Sequence, residues 1–394
     1  MKELIEISKR KQKSVPTKIK RYLLDKIDLK NKLILLLGHR GVGKTTLLIQ
    51  YLNEDEEKAI YLSLDHLYFE ENRLANLVNE LYAEGYKNFY LDEIHRYKNW
   101  SKDLKNIYDQ FDDVKVIATG SSILEIAKGQ ADLSRRAVEY HLFGLSFREF
   151  IEFSEGKKFV TYSFENIIKD HNEIASEIYD QIDVLKYFKK YLEYGYYPFF
   201  NEGIETYSQK LRETTNLIID LDILSYEELQ YSTVRNLKKL LYIVSQSVPF
   251  KPNISKLAQK LEVSRNTLLK MFDLLDRANV LGVLKSETKG VSFLQKPEKI
   301  YLQNTNLAYV LSGNKPEIGN LRETFFLNQL RVKHEVTFSK FTDFLIDNKY
   351  SFEVGGANKT TKQIKGLPNS FLALDGIKGG SGDRIPLWLF GFMY

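Results

Sequence analysis

Leu33-Ile34-Leu35-Leu36-Leu37-Gly38-His39-Arg40-Gly41-Val42-Gly43-Lys44-Thr45-Thr46 is an apolar strand, a glycine-rich turn and the start of a helical run that continues to Leu52. The spacing from Gly38 to Lys44-Thr45, set between a strand and a helix, fits a phosphate-binding loop. Glycines let the backbone curl until successive N–H groups converge on phosphate oxygens at the helix N-terminus. Lys44 then reaches the β and γ phosphates of ATP and the Thr45 hydroxyl ligates Mg²⁺, with Gly38, His39, Arg40, Gly41, Val42, Gly43 and Thr46 completing the nucleotide site. The competing reading is a glycine turn that holds no ligand.

Working outward, short apolar segments at 33–37, 59–62, 88–91, 114–118 and 137–141 alternate with helical stretches, the pattern of a parallel α/β sheet. The segment at 88–91 ends in Asp92-Glu93. At the end of a strand that follows a phosphate loop, Asp92 takes the metal role beside Thr45 and Glu93 that of the base polarising an attacking water; a solvated strand end is the alternative. The segment at 114–118 runs into Thr119-Gly120-Ser121-Ser122, small hydroxyl side chains at the sheet edge where ligands of open α/β sheets sit. Thr119 or Ser121 is positioned there to sense the γ-phosphate, against a plain helix N-cap by Ser121 or Ser122. Leu133-Ser134-Arg135-Arg136 offers a guanidinium for a transferring phosphoryl group, in the same chain or in a neighbour's site, or else a solvated basic pair. The catalytic candidates are therefore Glu93, Lys44, Arg136 and Thr119.

A chain of 394 residues exceeds one compact core. The pattern changes suggest an ATPase core over 1–155, a helical lid region over 156–245, a helix-turn-helix unit over 246–305 and a small α/β unit over 306–394. Residues 147–245 are amphipathic with helical period, most clearly at 170–193 and 211–224. Residues 254–261 and 264–278 read as helices about a turn at Glu262-Val263, with Ser264 as N-cap, followed by two short strands. Arg265, Asn266 and Lys270 would face outward on the second helix, as groove-reading donors do. Nine Lys or Arg against five Asp or Glu in 253–300 favour DNA phosphates. The alternative is a packing module. The run Lys9-Arg10-Lys11-Gln12-Lys13 reads as a solvated flexible tail, with added phosphate contacts as the alternative.

Composition sets limits. The absence of Cys removes disulfides, thiolate metal sites and cysteine nucleophiles, and six scattered His leave little for zinc. A hydrophobic content of 43% with 28% charged residues is that of a globular protein, and a net charge of +5 permits an acidic partner without demanding one. The 25 Tyr and 24 Phe read as core, not as a platform for stacking bases. No apolar run approaches the roughly 20 residues that span a bilayer, and Met1-Lys2-Glu3-Leu4-Ile5 opens no signal peptide. A cytoplasmic location, away from membranes, is expected, and an oligomer is compatible with all of this.

Together, Gly38 to Thr46, Leu91-Asp92-Glu93-Ile94-His95, Thr119-Gly120-Ser121-Ser122, Leu145-Ser146-Phe147-Arg148-Glu149-Phe150 and Tyr194-Gly195-Tyr196-Tyr197-Pro198 resemble prokaryotic AAA-type ATP-binding proteins. In that family the P-loop ATPase core is followed by a winged helix and a C-terminal domain similar to restriction-endonuclease folds. The resemblance covers nearly the whole chain. It implies an α/β parallel-sheet ATPase with a helical lid, a winged helix-turn-helix and a nuclease-like α/β domain. It also places Arg136 where the arginine of the family's Gly-Arg pair stands, with Arg135 replacing the glycine.

Metal-dependent nucleases of the fold so implied carry an acid, a second acid about ten residues on and a Lys two positions later, so that two carboxylates hold Mg²⁺ while the ammonium orients water. Asp343 and Glu353 match the acids, with Glu323 on the preceding helix in support, but Gly355 stands in place of the Lys. Unless Lys359 or Lys362 swings back, the C-terminal domain is expected to dock and not to cut. Three functions follow: a slow ATPase switch acting on a partner, DNA or protein; an ATP-dependent nuclease; or a DNA-binding regulator that merely retains ATP. Intact Asp92 and Glu93 argue against the third, because a pure binder needs no base.

Overall fold

The computed structural model describes residues 1–15, 19–121, 133, 135–226, 231–246, 249–286, 296–313 and 316–394. They form two compact units, Met1–Phe143 and Gly144–Tyr394.

The first unit runs α1 (Lys2–Ser14), β1 (Leu33–Leu37), α2 (Lys44–Glu54), β2 (Ala59–Ser63), α3 (Tyr68–Glu71), α4 (Leu74–Ala83), β3 (Asn88–Asp92), α5 (Trp100–Gln110), β4 (Lys115–Gly120) and β5 (Val138–His141). Its five strands are parallel, in the order β2-β3-β4-β1-β5. An inner parallel strand is covered on both faces and so reads as an unbroken apolar run. All five side chains of β1 are indeed buried. Strand alternation divides them: Leu33, Leu35 and Leu37 pack with Leu77 and Val78 of α4 and Leu104 and Ile107 of α5. Ile34 and Leu36 pack with Leu47, Leu48 and Tyr51 of α2.

The five strands lie where the apolar segments predict them, but three reach further toward the carboxyl edge: β2 to Ser63, β3 to Asp92 and β4 to Gly120. Pairing with a neighbour extends them, since Thr119 and Gly120 lie opposite Leu36 and Leu37, and Asp92 opposite Ser63. The start of the glycine loop, Asp92 and Gly120 therefore share one edge. The basic stretch 9–13, expected as a flexible tail, is instead part of α1. Ser8 of this helix accepts the Tyr61 N–H at 3.0 Å, which occupies a backbone donor of edge strand β2, while Lys9, Arg10, Lys11 and Lys13 stay exposed.

In the second unit, residues 147–245 are helical at Phe147–Glu155, Phe164–Tyr179, Val184–Tyr194, Ile204–Leu217 and Tyr231–Ser245. The stretch 170–193, read as one segment, is split between two of these, and Asp170 kinks the first at φ −117, ψ 21. The Leu145 to Phe150 motif has a structural reason. Ser146 and Glu149 form a reciprocal capping box at the start of Phe147–Glu155. Leu145 N–H donates to the Tyr196 carbonyl at 2.7 Å, and a Cβ on Gly144 would meet the Tyr196 ring at 2.3 Å. Asn306 binds the other side, accepting the Tyr196 N–H at 2.8 Å and donating to the Leu192 carbonyl at 2.9 Å. Both motifs thus serve packing.

Helices Ile254–Lys260 and Arg265–Arg277 are each opened by a side-chain cap, Asn253 accepting the Lys256 N–H and Ser264 the Thr267 N–H, both at 3.1 Å. β6 (Leu281–Leu284) and β7 (Lys299–Leu302) then pair antiparallel. Helices Thr305–Leu311 and Ile318–Leu330 precede β8 (Val336–Phe338), β9 (Phe344–Ile346), β10 (Tyr350–Gly356), β11 (Ser370–Asp375) and β12 (Arg384–Pro386). These form a mixed sheet in the order β12-β11-β10-β9-β8, with β10, β11 and β12 parallel. Phe326 fastens Ile318–Leu330 to the sheet, its ring 5.3, 5.1 and 4.9 Å from those of Phe344, Phe352 and Phe390. Among the described residues no helix is long and apolar enough to cross a membrane.

Candidate active site

The loop after β1 needs its glycines for backbone reasons. Gly41 and Gly43 sit at φ 83 and 96, a region that side chains with a Cβ resist. Gly43 is the left-handed N-cap of α2 and no side chain caps that end, so the first-turn N–H groups suit an anion. Lys44 is buried and its Nζ donates to the His39 carbonyl at 3.2 Å. His39 is buried below the loop; burial first, and then the Lys44 charge, push its imidazole down to about 3, so it stays neutral. Its Nδ1 donates to the Arg40 carbonyl at 3.1 Å. Val42 is buried, whereas Thr46 is on the exposed side of α2. Arg21 was not visible as a site residue in the sequence, yet its buried guanidinium donates to the Val42 carbonyl and, at 2.7 Å, to that of Phe143.

Asp92 gathers three hydroxyls. Thr45 Oγ1 donates to Oδ2 at 2.8 Å, Tyr61 OH donates to the same oxygen at 2.9 Å, and Thr119 Oγ1 donates to Oδ1. Burial first, and then the Asp92 charge, raise the Tyr61 phenol above its ordinary value, so it remains a donor. Nothing in the spacing of Tyr61 marks it; adjacent parallel strands β2 and β3 bring it there. Thr119 also accepts the Glu93 N–H at 3.1 Å, so here it braces both acids. Glu93 lies at φ 54, in the left-handed region that non-glycine residues rarely adopt, with Arg40 Nη2 3.8 Å from its Oε2. Ser121 is buried, and its N–H donates to His95 Nδ1 at 3.1 Å. Ser122 and Ser134 lie outside the described residues.

An Mg²⁺-nucleotide fits this set: uncapped N–H groups for phosphate, a buried ammonium, and one hydroxyl beside one carboxylate for the ion. Arg136 is not brought to it. The guanidinium binds Asp109 at 2.8 and 3.0 Å and lies over the Tyr108 ring, whose backbone carbonyl takes Lys32 Nζ. Lys32 precedes β1 and Arg136 precedes the parallel β5, so both occupy the amino edge. The length of β1, about 16 Å for five residues at roughly 3.3 Å each, separates that edge from the loop.

Asp343, Glu353 and Glu323 do converge in the second unit. Asp343 N–H donates to Glu353 Oε2 at 3.2 Å and Val354 N–H to Asp343 Oδ2 at 3.0 Å. Tyr301 OH donates to Glu323 at 2.6 Å, and Lys299 Nζ stands 3.2 Å from Asp343 and 3.5 Å from Glu323. The lysine missing at position 355 comes from Lys359, whose Nζ reaches Glu353 Oε1 at 2.5 Å. A Cβ on Gly355 would lie 2.2 Å from Lys359 Cδ, so the glycine makes room for that stem. Lys362 is exposed. Burial first raises the carboxyls of both Glu323 and Glu353. Among the described residues no group of three or more His, Asp or Glu is disposed to hold a metal ion. Arg265, Asn266 and Lys270 are exposed on Arg265–Arg277, as their helical spacing predicts.

Residues 30–151 match a family described as AAA domain, and residues 185–318 match a domain of unknown function. An uncharacterized protein of Methanocaldococcus jannaschii is 32% identical over 275 residues, 64% of this chain and 56% of the relative, so the match spans little more than half that protein's length. A second uncharacterized protein of the same organism is 25% identical over 85% of this chain and 74% of its own. The Walker-type ATPase PABY2304 of Pyrococcus abyssi covers 71% of this chain and 91% of its own at 16% identity and a TM-score of 0.42. Residues 30–151 are thus similar to an AAA domain, and the parallel sheet and phosphate loop within them support an AAA-type ATPase fold and nucleotide binding.

Proposed function

We propose that this chain binds ATP with Mg²⁺ and hydrolyses it slowly, as a nucleotide-driven switch that positions residues 246–305, read as a winged helix, and the C-terminal 306–394 for a partner, DNA. The observation that carries this reading is the meeting of Lys44, Thr45, Asp92 and Glu93 at one sheet edge, with the Thr45 hydroxyl 2.8 Å from Asp92. When bound, the Mg²⁺-nucleotide supplies the phosphoanhydride and polarises its γ-phosphoryl group. Lys44 neutralises phosphate charge. Thr45 and Asp92 hold the ion's shell, Thr119 and Tyr61 orient Asp92, and Glu93 accepts the proton of the attacking water on its carboxylate. The exposed Arg265, Asn266 and Lys270 are the donors proposed for DNA.

Arg136 enters only in a neighbour's site, since its own loop lies across the sheet. An Arg136→Ala subunit mixed with a Lys44→Ala subunit is expected to recover ATP turnover that neither has alone. Strictly additive loss leaves Arg136 to its ion pair with Asp109.

A second reading, ATP-dependent cleavage of nucleic acid, is favoured by Lys359, which puts an ammonium at the Asp343–Glu353 pair. The switch reading treats this network as a docking fold whose lysines already neutralise the carboxylates. One experiment separates them: purified protein with ATP, Mg²⁺ and labelled single- and double-stranded DNA, scored for phosphate release and DNA length. Phosphate release with intact DNA is expected. Cleavage that disappears in both Asp343→Ala and Glu353→Ala replaces the switch with the nuclease, and no phosphate release overturns both.

A further inference from the structure

We propose that His95 aims the Glu93 carboxylate and ties it to the end of β4, as a positioning residue for the hydrolysis proposed above, on which reading this inference rests. His95 lies in the short turn Ile94–Arg96 just beyond β3, with its side chain 2% exposed. The Ser121 N–H, at the carboxyl end of β4, donates to His95 Nδ1 at 3.1 Å. A backbone amide can only donate, so Nδ1 presents its lone pair and the hydrogen of the neutral ring is on Nε2. Nε2 lies 3.4 Å from Glu93 Oε2, close to it but outside hydrogen-bond geometry, so the N–H···O bond to the carboxylate is part of what is proposed. The opposite tautomer would set two N–H groups against each other at Ser121 and turn a lone pair toward a carboxylate oxygen.

This arrangement grips Glu93 twice from one strand end. Thr119 Oγ1 accepts its N–H at 3.1 Å, which sets the backbone, and Ser121 orients the imidazole that faces its carboxylate. The long acidic side chain otherwise turns freely about its torsions. A shift of residues 119–121, beside the place of the γ-phosphate, is therefore passed to the base without any proton transfer through His95.

Two substitutions separate the ring's two contacts. Asparagine can accept from Ser121 in the place of Nδ1 but is too short to donate to Glu93, whereas the amide of glutamine reaches the place of Nε2. His95→Asn is expected to keep ATP affinity and lower kcat about ten-fold, the scale of one hydrogen bond to a charged group. His95→Gln should restore most of that kcat, and in a Glu93→Gln background His95→Asn should cause no further loss. Equal losses in folded His95→Asn and His95→Gln, a change in ATP affinity in place of kcat, or a loss that multiplies with that of Glu93→Gln would overturn the inference. Should His95→Asn fail to fold, a large kcat loss in folded His95→Gln overturns it as well. Turnover that needs Glu93 but ignores His95→Asn overturns this inference alone; turnover indifferent to Glu93→Gln removes Glu93 as the base and this inference with it, and turnover absent from the unsubstituted protein overturns the ATPase reading and this inference together.

Discussion

Lys44→Ala is expected to abolish nucleotide binding at ordinary ATP concentrations. The ammonium is buried at the first position of α2, and His39, the nearby imidazole, is held neutral with its pKa pushed down to about 3, so it offers no substitute charge. A hydrogen bond to a charged group contributes about 1.5 to 3 kcal/mol, or roughly 10- to 150-fold in affinity. Lys44 would make such bonds to two phosphates. The substitution itself is gentle, because alanine is the best helix former and, among the described residues, Lys44 Nζ donates to an adjacent loop carbonyl and to no other group that is shown. Thermal melting should therefore be unchanged while calorimetric titration with ATP and Mg²⁺ gives no measurable heat. Undiminished affinity would sink the phosphate-loop assignment.

Glu93→Gln should give the opposite profile, ATP retained and turnover stalled. The amide keeps the shape and the left-handed backbone but cannot take a proton from water, and general-base catalysis is worth about 10²- to 10⁴-fold. Phosphate release is expected to fall by about 100-fold or more in single-turnover measurements. The lost contact with Arg40, at 3.8 Å and partly exposed, is worth about 0 to 1 kcal/mol, too little to disturb binding. Wild-type phosphate release would remove Glu93 from its role as the base and leave ATP hydrolysis to another group.

The reach of the sequence differs from residue to residue. The position of β1 could be read to the residue, because a strand covered on both faces must be apolar throughout and a loop with φ above zero at two places must carry glycine. The ends of β3 and β4 could not, because Asp92 and Gly120 are held in their strands by neighbours far away in the chain. Arg136 illustrates the same limit. Its distance from the loop in sequence says nothing of the edge it occupies, which depends on β5 running parallel to β1. The C-terminal acids were legible from their ten-residue separation, and Lys359 was one of two lysines that could serve them; the choice between the two was not legible, because it depends on Lys359 reaching back over the space left open by Gly355.

What the sequence by itself determined is whatever depends on neighbours along the chain: the strand-loop-helix of residues 33–52, the alternation of strands and helices, the cap at Ser264, and the outward positions of Arg265, Asn266 and Lys270. Backbone dihedrals and periodicity are local properties, so local residue types suffice to set them. What only the tertiary structure decided is which distant groups meet: Tyr61 and Thr119 on Asp92, Arg21 beneath the loop, His95 between Ser121 and Glu93, and Arg136 at the far edge. These follow from the strand order β2-β3-β4-β1-β5, which is set by how apolar faces pack across the whole sheet.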